Sequence, residues 1–159
     1  MYRQFLSDQW WLLQWDWQWM VTLTFRRRVS REEAMGRMRR WVLALQTSEH
    51  IQVGYFYGLV RRDDNFHFHL LMIGSGTKNG RSLTLENVDS SKWEKKWSKY
   101  RAGAKIEIPR STSDVAEYVA SENFRSDLTE MYPYNERLLR RFRKAPPELP
   151  ARTTARWTR

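Results

Sequence analysis

The sequence predicts an α+β fold, one antiparallel sheet layered with helices, on three observations. A long segment alternates polar and apolar residues near the start, two β-rich segments flank a tight turn, and helix-periodic segments separate the strands. In QWDWQWMVTLTF the odd positions Trp15, Trp17, Trp19, Val21, Leu23 and Phe25 are apolar, while Gln14, Asp16, Gln18, Thr22 and Thr24 are polar. This alternation predicts a strand whose regular part covers 17–25. Ser30 and Glu33 make a capping box, and Ala34, Met38, Trp41, Val42 and Leu45 recur at helical spacing, so 31–47 reads as an amphipathic helix. IQVGYFYGLV, rich in β-branched and aromatic residues, predicts a strand at 51–60. RRDDN reads as a turn, and FHFHLLMIG as a strand at 66–74, the two strands forming a hairpin.

GSGTKNG, at 74–80, reads as a flexible loop. SSKWEKKWSKY places Trp93, Trp97 and Tyr100 on one helical face. AKIEIP predicts a short strand at 104–109, and STSDVAEYVASENF a helix from near Ser113 to about Phe124. Tyr132 and Tyr134, flanking Pro133, read as a mobile loop. NERLLRRFRK predicts a basic helix capped by Asn135, with Leu138, Leu139 and Phe142 as a narrow apolar stripe and Pro146 and Pro147 as its stop. The order β-α-β-β-α-β-α is most economically a ferredoxin-like sandwich, its sheet covered by helices on one face. One domain is expected over 1–135, followed by a basic, partly mobile tail at 136–159.

Hydrophobic residues make up 41 %, which excludes general disorder. The sequence has no apolar run near the length of a membrane span and no basic-apolar-small pattern at its start, so neither a transmembrane helix nor a secretory signal is expected. With no cysteine, disulfides and thiolate metal sites are excluded, which fits a reducing cytoplasm. Lysine and arginine outnumber acids 28 to 18, for a formal charge of +10, and this balance points to a polyanionic partner. The tail sharpens it, with eight basic residues against two acidic ones.

Two of the three histidines, His67 and His69, sit one residue apart on a predicted strand. Phe66, Phe68, Leu70 and Met72 point one way and the histidines the other. Residues i and i+2 lie about 6.5–7 Å apart along a strand, so two imidazoles there can converge on one ion. Thr22 and Thr24, on the polar side of the first strand, can share that face. Two half-exposed histidines on a polar sheet face is the plainer reading of His-X-His taken alone.

VTLTF, then HFH among apolar strand residues, then the helical Tyr118, together resemble the HUH endonucleases, and in particular rolling-circle replication initiators of plasmids and phages. The resemblance covers roughly residues 15–124. It implies site-specific nicking and joining of single-stranded DNA, with Tyr118 as the nucleophile that forms a covalent 5′-phosphotyrosine and His67 and His69 as ligands of a divalent ion, Mg2+ or Mn2+. Initiators commonly carry an acidic ligand where this chain has Leu59 and Val60, and a lysine where it has Ser121. Related single-tyrosine transposases take their third ligand four residues after the tyrosine, which implies Glu122 here. His50, Asp63 and Asp64 are weaker ligand candidates, and Tyr100, Tyr132 and Tyr134 are rival nucleophiles.

Arg26, Arg27, Arg61, Arg62, Arg140, Arg141, Arg143 and Lys144 are the expected DNA-binding residues. Single-stranded DNA, including a hairpin-containing origin, is the expected partner. No helicase motif is present, so unwinding implies a host helicase. Two other readings stand beside the initiator: a single-tyrosine transposase, and a non-catalytic module that stacks bases on Trp10, Trp11, Trp15, Trp17, Trp19, Tyr55 and Tyr57.

Overall fold

The computed structural model describes residues 12–62, 65–99, 102–111, 114, 115, 118 and 128–143. In chain order the elements are β1 (Trp19–Phe25), α1 (Arg31–Glu49), β2 (Ile51–Arg62), β3 (Asn65–Lys78), β4 (Arg81–Leu83), a 3-10 turn (Leu85–Asn87), α2 (Ser90–Ser98), β5 (Ala102–Glu107), β6 (Leu128–Tyr134) and α3 (Glu136–Arg141). The result is a mixed α/β architecture with an open antiparallel sheet in the order β5-β1-β3-β2-β6, and β4 pairs with the far end of β3. Among the described residues no helix is long and apolar enough to cross a membrane.

One parity of each strand builds the main core. Trp19, Val21, Leu23 and Phe25 of β1 join Phe68, Leu70 and Met72 of β3 and Val53, Tyr55, Tyr57 and Leu59 of β2, all under α1 and α2. The helix α1 starts as its capping chemistry dictates, with the Ser30 hydroxyl accepting from the Glu33 amide at 3.1 Å. It ends where His50 turns left-handed and its amide bonds to the Gln46 carbonyl, so His50 closes the helix. Trp41 donates from its indole nitrogen to the Trp93 carbonyl at 3.1 Å and meets Trp93 and Trp97 edge-on, which locks α1 to α2. Each such ring pair adds about 0.5–1.5 kcal/mol beyond the area it buries. The aromatic platform expected of a binding module is absent among the described residues, because Trp15, Trp17, Trp19, Tyr55 and Tyr57 are all buried. Trp10 and Trp11 lie outside them.

Two expectations are corrected. The segment 74–80 is not a loop: β3 runs on to Lys78, turns at Asn79 and Gly80, both with positive φ, and returns as β4. Its glycines misled because they serve close packing. A Cβ on Gly74 lies 2.7 Å from the Leu85 side chain, and one on Gly76 collides with the His50 carbonyl. Tyr132 and Tyr134 are not in a loop either, since they belong to β6, which pairs with β2 and holds Pro133 opposite Phe56. Proline is tolerated there because β6 is an edge strand. The helix that follows Asn135 packs on the sheet. Leu138 and Leu139 of α3 are buried, and Leu139 joins a second cluster with Leu12, Trp15, Trp17, Met20, Phe56, Leu71, Ile73 and Val115.

Candidate active site

This second cluster covers only part of the opposite sheet face. At the end bearing Leu71 and Ile73 the face is packed. Two residues earlier along β3 it becomes polar. The register sets Thr22 of β1 opposite His69 and Thr24 opposite His67. On the outer side, Lys105 of β5 stands opposite Thr22 and Gly103 opposite Thr24. On the inner side, Gly58 of β2 stands opposite His69 and Val60 opposite His67. Gly103 gives the Thr24 side chain its room, because a Cβ there lies 2.6 Å from the Thr24 hydroxyl oxygen, which itself donates to the Gly103 carbonyl at 3.2 Å.

Tyr118 reaches this row from a helical turn that includes Asp114 and Val115. Val115 anchors it in the second cluster, with Tyr118 packed beside it. The phenolic oxygen lies 2.9 Å from His69 Nδ1 and 3.3 Å from the Thr22 hydroxyl, and it donates to the Val21 carbonyl at 3.0 Å. The imidazole and phenol rings meet edge to face at 5.6 Å. A phenol has one proton. When that proton points to Val21, the contact with His69 requires Nδ1–H as donor, which leaves the Nε2 lone pair for a ligand.

Burial, and then the charge of neighbouring His67, push the His69 pKa down to about 4, so the ring is neutral near pH 7. Burial also pushes the Tyr118 phenol well above its ordinary value; the Thr22 hydrogen bond works the other way, and the Glu107 carboxylate adds to the rise. The hydroxyl is therefore held protonated in this arrangement. Two neutral-capable imidazoles on one face suit a divalent ion whose remaining ligands are oxygens. Among the described residues no group of three His, Cys, Asp or Glu side chains forms such a site. Glu122, the expected third ligand, lies outside the described residues, as do Val119 and Ser121.

The expected arginines separate into two places. Arg26 and Arg27 follow β1, and Arg61 and Arg62 end β2. Asn65 ties these ends together by donating to the Phe25 carbonyl, so all four stand at the histidine end of the sheet. Arg27 also pairs with Glu33 at 2.8 Å. Arg140, Arg141 and Arg143 sit at the other end, where Leu139 packs against Gly54. Gly54 and Arg61 are seven steps apart along β2, about 23 Å at strand rise. Arg143 is structural there, donating from two nitrogens to Gln14 Oε1 at 3.0 and 2.8 Å. Lys144, Asp63, Asp64 and Tyr100 lie outside the described residues.

Lys105 is the residue that the sequence reading missed. It shares the row of Thr22 and His69, and its ammonium pairs with Glu107 at 2.9 Å. The alternation in AGAKIE carried the signal, since Gly103, Lys105 and Glu107 take the parity opposite to Ala104 and the buried Ile106.

No family model matches the chain, and no curated protein matches it. Among solved structures, it is similar to the hypothetical protein ORF119 from Sulfolobus islandicus rod-shaped virus 1, at 16 % identity and a TM-score of 0.41, over 71 % of this chain and 89 % of that one. A likeness this distant says nothing about activity.

Proposed function

We propose that this protein is a single-strand DNA nickase and ligase of the HUH type, acting through Tyr118, and that it initiates rolling-circle replication of a plasmid or phage. One observation carries the reading: the Tyr118 hydroxyl lies 2.9 Å from His69 Nδ1, across 49 residues of sequence, on the face that also bears His67. Nothing local to either residue requires this approach. A ferredoxin-like sandwich is part of the same proposal. The strands β1, β2, β3 and β5 support it, since β5-β1-β3-β2 has the first and third strands central and every neighbour antiparallel.

In this proposal His67 and His69, with Glu122, hold a divalent ion, which when bound polarises the scissile phosphate and offsets the charge that develops in transfer. The chain's own part follows from its contacts. Thr22 and His69 orient the phenol, and the Val21 carbonyl holds its proton until the substrate arrives. In the transfer, the Tyr118 oxygen bonds to phosphorus and the bond from phosphorus to the 3′-oxygen breaks. The phenolic proton is lost to solvent, and the 3′-oxygen takes one up. One phosphodiester is exchanged for another, so a 3′-hydroxyl can reverse the step and reseal the strand. Arg26, Arg61 and Lys105 supply positive charge on the approach to the row.

The test is a denaturing gel of the full chain with labelled single-stranded DNA pools and manganese, followed by mass mapping of the trimmed adduct peptide. A phosphotyrosine at Tyr118 supports the proposal. An adduct on Tyr132 or Tyr134, or none under any metal, overturns it.

A further inference from the structure

The helical side of the molecule carries its own concentration of positive charge. Lys92, Lys95, Lys96 and Lys99 follow one another along α2 and its C-cap, and Lys92, Lys95 and Lys99 are exposed. Both i,i+4 pairs in this set, Lys92 with Lys96 and Lys95 with Lys99, are like-charged, which destabilises a helix on its own. The acids nearby are spent on holding the fold. Asp89 caps α2 by accepting from the Ser91 and Lys92 amides. Glu49 accepts from the Trp93 indole at 3.0 Å and pairs with Lys92 at 2.5 Å. Glu94 turns to the sheet and accepts from the Ile106 amide at 2.7 Å. Among the described residues Lys95 and Lys99 are left with no ion pair. A merely solvated helix face interleaves its signs; this one does not.

The row also leads to the tyrosine site. Trp97 donates from its indole nitrogen to the Thr24 carbonyl at 3.1 Å and meets Phe25 edge-on at 5.3 Å. The last turn of α2, with Lys99, therefore stands over the end of β1, from which the exposed Arg26, Arg27 and Arg28 follow. On the far face of the same strand end, Thr24 stands opposite His67. Positive charge thus runs from the outer side of α2 round the end of the sheet to the histidine row. Along the helical part no ring is offered for stacking, since Trp41, Trp93 and Trp97 are 3 %, 0 % and 0 % exposed. Proteins hold single strands by stacking as well as by charge. Cations without a ring to stack on suit a nucleic acid whose bases are already stacked inside and whose phosphates lie outside.

We propose that the lysine row of α2 is a second DNA contact, which holds the backbone of a duplex segment adjoining the single strand at Tyr118. Lys95 and Lys99 face its phosphates, and Arg26 and Arg28 stand where duplex gives way to single strand. This reading rests on DNA being the substrate and deepens it: the preferred substrate is a junction of duplex and single strand rather than a bare single strand.

The test measures binding of the full-length chain, in chelator so that nothing is cut, to a short labelled single strand, a blunt duplex, and that duplex carrying the single strand as a tail. It compares the double variant Lys95→Gln with Lys99→Gln against Lys78→Gln with Arg81→Gln, which removes the same charge from the β3–β4 turn at the other end of the sheet. Thermal melts check that both are folded. The natural chain should bind the tailed duplex most tightly. The Lys95 and Lys99 variant should bind both duplex-containing DNAs roughly 10- to 30-fold more weakly at physiological salt, with a salt dependence flatter by about 2 log units per log unit. Its binding to the short single strand should match that of the Lys78 and Arg81 variant. Duplex binding lost equally in the two variants overturns the surface, as does an equal loss on the single strand. A natural chain that binds no duplex also overturns it, even if a Tyr118 adduct forms with manganese. A loss confined to the duplex-containing DNAs, with no adduct under any metal, keeps the surface and removes the nickase.

Discussion

On the face beneath α1 and α2, β1 and β3 present Trp19, Val21, Leu23, Phe68, Leu70 and Met72, every one buried. On the other face the same two strands present Thr22, Thr24, His67 and His69. Backbone, register and neighbours are shared, and only the parity differs. The difference lies in what each face meets. The first is sealed by two helices whose Trp41, Trp93 and Trp97 interlock with it. Among the described residues the second is covered at one end by Leu12, Trp15, Trp17, Val115 and Leu139, while in the histidine row His67 stays half-buried and Tyr118 packs on His69. A sheet can thus carry its stability on one side and leave polar, reactive groups on the other, provided each buried polar atom keeps a partner. His69, only 9 % exposed, keeps Thr22 and Tyr118.

If the faces divide labour in this way, their variants should too. Tyr118→Phe should lower adduct formation by at least about 10⁴-fold, the scale of removing a nucleophile. Its stability cost should be only about 1 kcal/mol, for the hydrogen bond to Val21. Phe68→Ala should do the reverse, costing about 3–5 kcal/mol in a urea melt while the folded fraction keeps its adduct yield. Adduct lost from folded Phe68→Ala protein would mean that the faces are coupled.

The next effect concerns pH. His69 has its pKa pushed down to about 4 in the folded chain, against an ordinary value near 6.5 when unfolded. Between these values the unfolded chain binds the extra proton. Stability is therefore complete above about pH 6.5 and falls as the pH drops towards 4, by on the order of 3 kcal/mol. Melts across this window should show the loss in the natural chain and much less of it in His69→Gln. An equal slope in both would place the acid sensitivity elsewhere.

Gly103→Ala probes the smooth flank of the row. Its Cβ would press on the Thr24 hydroxyl oxygen, so the variant should lose about 1–2 kcal/mol. Most of that loss should vanish in a Thr24→Ala background, a coupling a double-mutant cycle measures directly. The smallest effect is at the tail. Residues 144–159 hold four basic residues and one acid, so deleting them should flatten the salt dependence of single-strand binding by up to about 2 log units per log unit of salt. The cut belongs after Arg143, because α3 is part of the second cluster and Arg143 holds Gln14.

By itself the sequence determined the local geometry. Alternation along VTLTF and FHFHL sets which residues share a face, because side chains of successive strand residues point oppositely whatever the strand pairs with. Ser30 with Glu33 marked the start of α1 for an equally local reason, an unmet backbone amide beside a hydroxyl. Only the tertiary structure decided what faces what. Pro133 hid β6, since its cost depends on whether the strand has a neighbour on that side. Gly74 and Gly76 read as a loop until Leu85 and His50 were found against them. Tyr118 stands 49 residues from His69 and 97 from Val21, and no periodicity spans such separations. Those contacts follow from which apolar faces bury each other best across the whole chain, a balance to which every element contributes and which no single stretch encodes.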